Sequence, residues 1–361
     1  TTLDEASLND FREVAGDAFR VLLDQQDASK RRVTQRQINA VDRDDHRIGK
    51  HVVANHRTHS SLPAITFEPT SPCDHLVILL HGQGKQAFQS PNALANTIQQ
   101  LVDHGASVVI ADLFMQGEFT QQGLASIINR KVENPRDYAG FTYGYNRSLF
   151  AERVDDVLTL SSLSSCDGRS FSHVHVIGVE GAGPIAAAAR SVAGAEIETL
   201  LIDTQGFRFA NVASWRDASF LPGAVKYGDL PGLLALGAPH PLWLAGEAEL
   251  PALAAAAYQA TESGEQVELA TGSGTDALLE AVDWLIENNL ASSITAAGYG
   301  EGGRVALYSA AIDSRIDHAF VSGAFAPRST AWSEPIYRNV FGLLPEHGDA
   351  EVAALIAPRP R

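Results

Sequence analysis

From residue 75 onward, continuous apolar runs alternate with amphipathic stretches, and that alternation leaves few folds open. "HLVILLHGQG" (75–84), "SVVIADLFMQGEF" (107–119), "HVHVIGVE" (173–180), "EIETLLIDTQGF" (196–207), "HPLWLAGE" (240–247) and "QVELATG" (266–272) read as strands. Between them "ALANTIQQLVDHG" (93–105), "LFAERVDDVLTLSSL" (149–163) and "GPIAAAARSV" (183–192) read as helices. Strands that lack polar alternation are covered on both faces. The pattern therefore predicts an α/β protein, a mostly parallel sheet with helices on each side. Upstream, an apolar stripe over 4–24 predicts a helix docked on the core. The charged stretch 25–50 reads as a linker or exposed turns, and "HVVANH" and "LPAITFEP" as short strands of a hairpin or meander.

Within this frame, "VHVIGVEGAGPIAAAAR" (174–190) has the shape of a nucleophile elbow: a β-branched strand, a tight Gly-rich turn and a helix. The elbow pattern is G-x-S-x-G. Here Glu180 stands where the serine belongs.

A second stretch of the same shape follows in "SSITAAGYGEGGRVALYSAAID" (292–313), and in register with the first it places Gly300 at the nucleophile position. Glu180 and Gly300 are 120 residues apart. So are Asp156 and Asp276, and so are Asp229 and Asp349 within "YGDLPGLLALGAPHP" and "HGDAEVAALIAPRP". One spacing at three anchors predicts a duplicated half-domain. The expected division is a first domain over 1–274, with its N-terminal helix, and a partial second copy over 275–361. The second copy lacks counterparts of "HLVILLHGQG" and "SVVIADL". Its half-sheet is expected to be completed by a homo-oligomer partner, a second domain or chain outside this numbering, with a break or a partner surface near 273–276 or after Arg361.

These residues carry a resemblance. "LLHGQGK", "ADLFMQGE", "GVEGAGP", "GYGEGGRVALYSAAIDSRIDHAFVSG" and "IYRNVFGLL…GDAEVAALIAPRP" resemble the α/β-hydrolase superfamily, in its acetyl-xylan-esterase-like and dienelactone-hydrolase-like branch. The resemblance covers roughly 70–361. It implies an eight-stranded sheet, a carboxylic-ester hydrolase of the carbohydrate-esterase type, a Ser nucleophile at the elbow, an acid after the strand at 241–245 and a His after the strand at 266–270. The chain departs from it at each catalytic place. The elbows hold Glu180 and Gly300, the acid place offers Glu247 or Glu249, and "ATGSGTDA" holds no His.

Three readings follow: a hydrolase with weak or lost activity, a non-catalytic descendant that binds a ligand or partner, and a hydrolase that uses Glu180 as a carboxylate nucleophile. The plainer reading of Glu180 is a carboxylate at the N-terminus of the helix 183–193. The resemblance further implies an oxyanion or substrate-binding role for His81, Gly82, Gln83 and Gly181, against a plain structural turn. Asp112 reads as a loop anchor, and Asp229 and Asp349 as caps, which leaves the nearby His347 without a role. No spacing suits a metal or a nucleotide cofactor, so neither is expected.

The net charge is −16, from 27 basic and 43 acidic residues. That disfavours nucleic acid and anionic membranes as partners, and the resemblance implies a small-molecule or carbohydrate ester. No apolar run reaches the ~18–20 residues of a membrane span. The strand order implied by the resemblance puts Cys73 and Cys166 at one edge of the sheet, either as a disulfide or as two separate thiols. A bridge would favour a secreted or periplasmic protein, and separate thiols a cytoplasmic one.

Overall fold

The computed structural model describes residues 4–25, 32–88, 93–130, 132, 138–166, 170–290, 294–299, 301–312, 316–323 and 349–354. By its contacts the chain divides into two units, Thr1–Leu290 and Ala291–Arg361.

The first unit opens with α1 (Glu5–Phe11) and α2 (Asp17–Leu22), joined by one π-helical turn. Asp4 caps α1 by accepting the Ser7 N–H at 2.8 Å. Leu8, Phe19 and Leu23 from this segment are fully buried in the core. Three antiparallel strands follow: β1 (Val33–Asp42), β2 (His46–Asn55) and β3 (Ser60–Pro69). Then come β4 (His75–His81), α3 (Ala93–Asp103), β5 (Ala106–Ala111), α4 (Ala139–Tyr143) and α5 (Leu149–Ser161). The unit continues through β6 (His173–Val179), α6 (Gly183–Ala193), β7 (Thr199–Asp203), α7 (Asp229–Gly237), β8 (Leu242–Ala245), α8 (Ala252–Ala260), β9 (Val267–Leu269) and α9 (Gly274–Leu285).

The strands form one sheet of nine in the order β1-β2-β3-β5-β4-β6-β7-β8-β9, parallel from β5 to β9. The order β5-β4-β6 puts β5 on one side of β4 and β6 on the other, and ligand crevices in such sheets lie beyond the C-terminal strand ends at that switch. Each face carries its own apolar layer. One includes Leu76, Ile78 and Leu80 with α5 and α6; the other includes Val77, Leu79 and Ile177 with α3 and α9.

The expected linker over 25–50 is corrected. Its described part contains β1 and the start of β2, which form a ten-residue hairpin on the sheet edge. Most of β1 is exposed, and its outward side chains mix Arg36, Gln37, Asn39 and Asp42 with Ile38 and Val41, so the strand carries no continuous apolar run to read. α9 starts at Gly274, beside the expected boundary at 274/275, and packs on α3 and β6 of the first unit.

In the second unit β10 (Ile294–Tyr299) and β11 (Ile316–Ser322) pair in parallel, connected by α10 (Glu301–Ile312), and α11 (Asp349–Ala354) contacts α10. Gly300, His347, 273–276 in any role at a unit boundary, and the region after 354 lie outside what is described or what can be placed between units.

Cys73 and Cys166 are thiols, not a bridge, and the Cys166 Sγ lies 3.5 Å from the Val33 carbonyl. The disulfide argument for an oxidising compartment therefore falls. No helix among the described residues is long and apolar enough to cross a membrane.

Candidate active site

β6 ends at Val179 and α6 begins at Gly183, so Glu180 sits at the tip of the turn with φ 51°, and Gly181 follows at φ 92°. A non-glycine residue at positive φ costs on the order of 1–3 kcal/mol and persists only where its surroundings enforce it. Two close approaches do so here. A Cβ on Gly183 would collide with the Asp203 carbonyl, and a Cβ on Gly82 would collide with the Glu180 carbonyl. The loop after β4 is thus pressed against the elbow.

Glu180 is half-buried. Its Oε2 accepts from Gln205 Nε2 at 3.3 Å. Its Oε1 points toward Gly274, where a Cβ would come within 2.5 Å of it. The loop before Gly274 is where the resemblance expects the His. Asp203, fully buried at the end of β7, holds that loop by accepting the Gly274 N–H at 2.8 Å, and accepts the Gln205 N–H at 2.9 Å. Sequence reasoning passed over Asp203. The available signal was a lone carboxylate closing the run "TLLID" beside the elbow strand.

His81 ends β4, directly across from Val179. Its Nδ1 accepts the Gln83 N–H at 3.0 Å, and its ring meets Phe88 edge-on at 5.8 Å. Burial lowers its pKa, while the nearby Glu180 charge pulls the other way. Gln83 itself is exposed, and the Gly82 carbonyl accepts from Gln116 Nε2 at 2.8 Å. Gly181 faces open space. So the structure brings Glu180, His81, Gly82 and Gly181 together.

Glu247 stands apart from them. Arg208 grips its carboxylate at 2.8 and 2.7 Å, and Thr204 Oγ1 donates to it at 2.7 Å. Burial alone would raise its pKa; the Arg208 and Thr204 hydrogen bonds outweigh burial and hold it below the usual range. A carboxylate so engaged orients no imidazole. Glu249 is exposed.

Two anchors support the loops. Asp112, buried at the end of β5, pairs with buried Lys85 and accepts the N–H groups of Lys85 and Glu118 at 2.9 and 3.0 Å. Asp229, at φ 58°, accepts from the N–H groups of Phe209, Ala210 and Leu230.

A cavity of about 560 Å³ opens near the other end of β6, lined by Arg32, Ser162, Ser165, Phe171 and Glu196 among others. A second, of about 200 Å³, is lined by Asn129, Arg130, Thr142 and Arg147. Neither is lined by Glu180 or His81.

No protein-family model matches the chain, and no curated protein matches it. Solved structures do. A Bacteroides fragilis NCTC 9343 protein assigned as an acetyl xylan esterase superposes with TM-score 0.54 and 13% identity, over 74% of this chain and 76% of that one. Methylesterase BT1017 superposes with TM-score 0.56 and 16% identity, over 79% of this chain; the chain spans 65% of that protein's length. At these identities the likeness speaks to architecture, and it agrees with the strand order, the elbow after β6 and the crossover helices: the chain has the α/β-hydrolase fold.

Proposed function

We propose that the chain is a carbohydrate-esterase-like protein in which the esterase site binds a ligand and no longer hydrolyses it by serine chemistry. One observation carries the reading. The elbow keeps its strained geometry and an open side, while the loop that would bring a His is pinned against Glu180 by Asp203. The place of the nucleophile is kept; the relay that would activate it is not. Removing triad members leaves only the rate supplied by binding and oxyanion donors, several orders of magnitude lower. The neighbour assigned as an acetyl xylan esterase makes a sugar or sugar ester the ligand class to test first. A secreted or periplasmic location, and a second copy or further domain pairing with β10 and β11, belong to the same reading.

The test is release of p-nitrophenol from p-nitrophenyl acetate by the full chain. The expected rate equals that of the Glu180→Gln variant and of buffer. Turnover that this substitution abolishes would overturn the reading.

A second reading has one observation in its favour. The positive φ of 51° at Glu180 is the backbone of a nucleophile elbow, and the residue it carries is a carboxylate. An ester formed on Glu180 would still need an activated water, and residues 270–273 hold no imidazole to activate one. Mass spectrometry after incubation with an alkyl halide is expected to find no adduct on the peptide containing Glu180. An adduct there would favour the nucleophile.

A further inference from the structure

In a serine esterase the loop after this strand offers backbone N–H groups to the developing oxyanion. Here the Gln83 N–H is turned inward to His81 Nδ1, at 3.0 Å. A backbone N–H can only donate, so Nδ1 must present a lone pair, and a neutral imidazole then carries its proton on Nε2. That Nε2 makes no hydrogen bond among the described residues. Glu180 follows Val179, which pairs with His81 across the sheet, and its charge acts on the imidazole. Among the described residues its Oε1 accepts no hydrogen bond and its Oε2 only the long one from Gln205. The space next to Oε1 is one that any side chain at 274 would fill, and Gly181 leaves the elbow open.

We propose that the donor of this site has moved from the backbone to a side chain: the His81 Nε2–H and the Glu180 carboxylate together bind two neighbouring hydroxyls of a neutral sugar ring. This rests on the binding reading above and adds the chemistry of recognition. An anionic sugar would face Glu180 and a chain of net charge −16. A cation would be drawn to Glu180 but would meet an N–H instead of a lone pair. A pair of hydroxyls uses both groups, one oxygen accepting from Nε2–H and one O–H donating to the carboxylate. Gln83 thereby acts as a positioning residue, since its amide selects the tautomer.

The experiment is calorimetric titration of the full chain with xylohexaose and, separately, with trigalacturonate, alongside ¹⁵N NMR of the His81 ring. The neutral sugar is expected to bind and the acidic one to bind more weakly. His81→Phe is expected to weaken xylohexaose by about 2- to 10-fold, the worth of one net hydrogen bond. His81→Gln, whose amide can donate, recovers most of that loss, and a matching melting curve shows that both variants fold. The ring nitrogens should show Nε2 protonated and Nδ1 bare. Binding that His81→Phe leaves unchanged, or a ring protonated on Nδ1, overturns the donor assignment and leaves the binding reading in place. Tighter trigalacturonate overturns the neutral-sugar assignment. No saturable binding by the wild type overturns the binding reading and this proposal with it.

Discussion

β4 carries a histidine at each end, joined at the N-terminal end by two from β6, and the two ends use them in different ways. At the N-terminal end His75, His173 and His175 stack like plates, with ring centres 4.6 and 5.3 Å from His75 and planes within 17° of parallel. His75 Nδ1 and His175 Nε2 share a hydrogen bond at 3.0 Å, and His173 Nδ1 lies 2.6 Å from Glu198 Oε2. Among the described residues no group of three His, Cys, Asp or Glu side chains is arranged to hold a metal ion. His175 is fully buried, and its Nδ1 has no partner. Six residues along β4, roughly 20 Å away, His81 accepts a backbone amide on Nδ1, which leaves its Nε2 without a hydrogen bond among the described residues. The same residue type on the same strand stacks on other rings at one end and accepts a backbone amide at the other. The neighbours of each ring decide which, not the ring itself.

The anchoring of the two ends differs too, and the largest expected effect tests that. The loop leaving β4 at its C-terminal end hangs on the buried Lys85–Asp112 pair and on two N–H groups bonded to Asp112. Asp112→Ala leaves Lys85 with the exposed Glu118, 2.6 Å away. Breaking one side of a buried pair costs on the order of 3–5 kcal/mol. Urea unfolding is expected to show a loss of that size. A loss under about 1 kcal/mol would mean that this loop is not held by the pair.

Protonation should separate the ends in opposite directions. Burial lowers the His175 pKa to about 3, with the neighbouring His75 and His173 adding to the effect. Its folded pKa is below the ordinary unfolded value of about 6.5. The unfolded chain therefore takes up the proton first, and stability falls as pH drops below about 6.5. One proton is worth about 1.4 kcal/mol per pH unit. His175→Phe is expected to flatten the acid limb of the stability curve between pH 6 and 4.5 by about 2 kcal/mol.

Near the other end, buried Asp156 accepts the Phe114 N–H at 2.6 Å, just beyond β5, and burial raises its pKa to about 8. Here the folded value lies above the unfolded one. The contribution is complete at low pH and is lost as pH rises from about 4 toward 8. Asp156→Asn is expected to gain about 1–3 kcal/mol at pH 7.5 and to change little at pH 4.5. Parallel pH profiles for wild type and both variants check the pair of signs. An Asp156→Asn gain that is the same at both pH values would place Asp156 in the ionised state throughout.

What the sequence made legible follows the same physics. β4, β5, β6, β7 and β8 were visible because burial on both faces leaves apolar runs such as "LVILL" and "SVVIA". β1 was not, because an edge hairpin shows its polar side chains to water. The elbow and Glu180 were visible because they are local in sequence. The Glu247–Arg208 pair and the Asp203 hold on Gly274 were not, because they join residues 39 and 71 positions apart. The role of His81 also needed coordinates, since "HGQ" does not say which way the Gln83 amide points.

The smallest effect concerns the contact of the N-terminal stack with Glu198. His173 and Glu198 are 2.6 Å apart, but their side chains are 41% and 37% exposed. A pair so open to water is worth about 0–1 kcal/mol, most of it removable by salt, whose screening length falls to about 3 Å at 1 M. Glu198→Gln is expected to lower stability at pH 6 by no more than about 1 kcal/mol in low salt, and by less in 1 M NaCl. The cost of Asp112→Ala should be nearly the same in both, because salt does not reach a pair in which Lys85 and Asp112 are 6% and 1% exposed. Denaturant midpoints for the two variants at both salt concentrations decide it. If the Glu198→Gln cost resists salt as the Asp112→Ala cost does, the histidine stack is held by an ion pair after all, and the contrast between the two ends of β4 and β6 narrows to the orientation of His81.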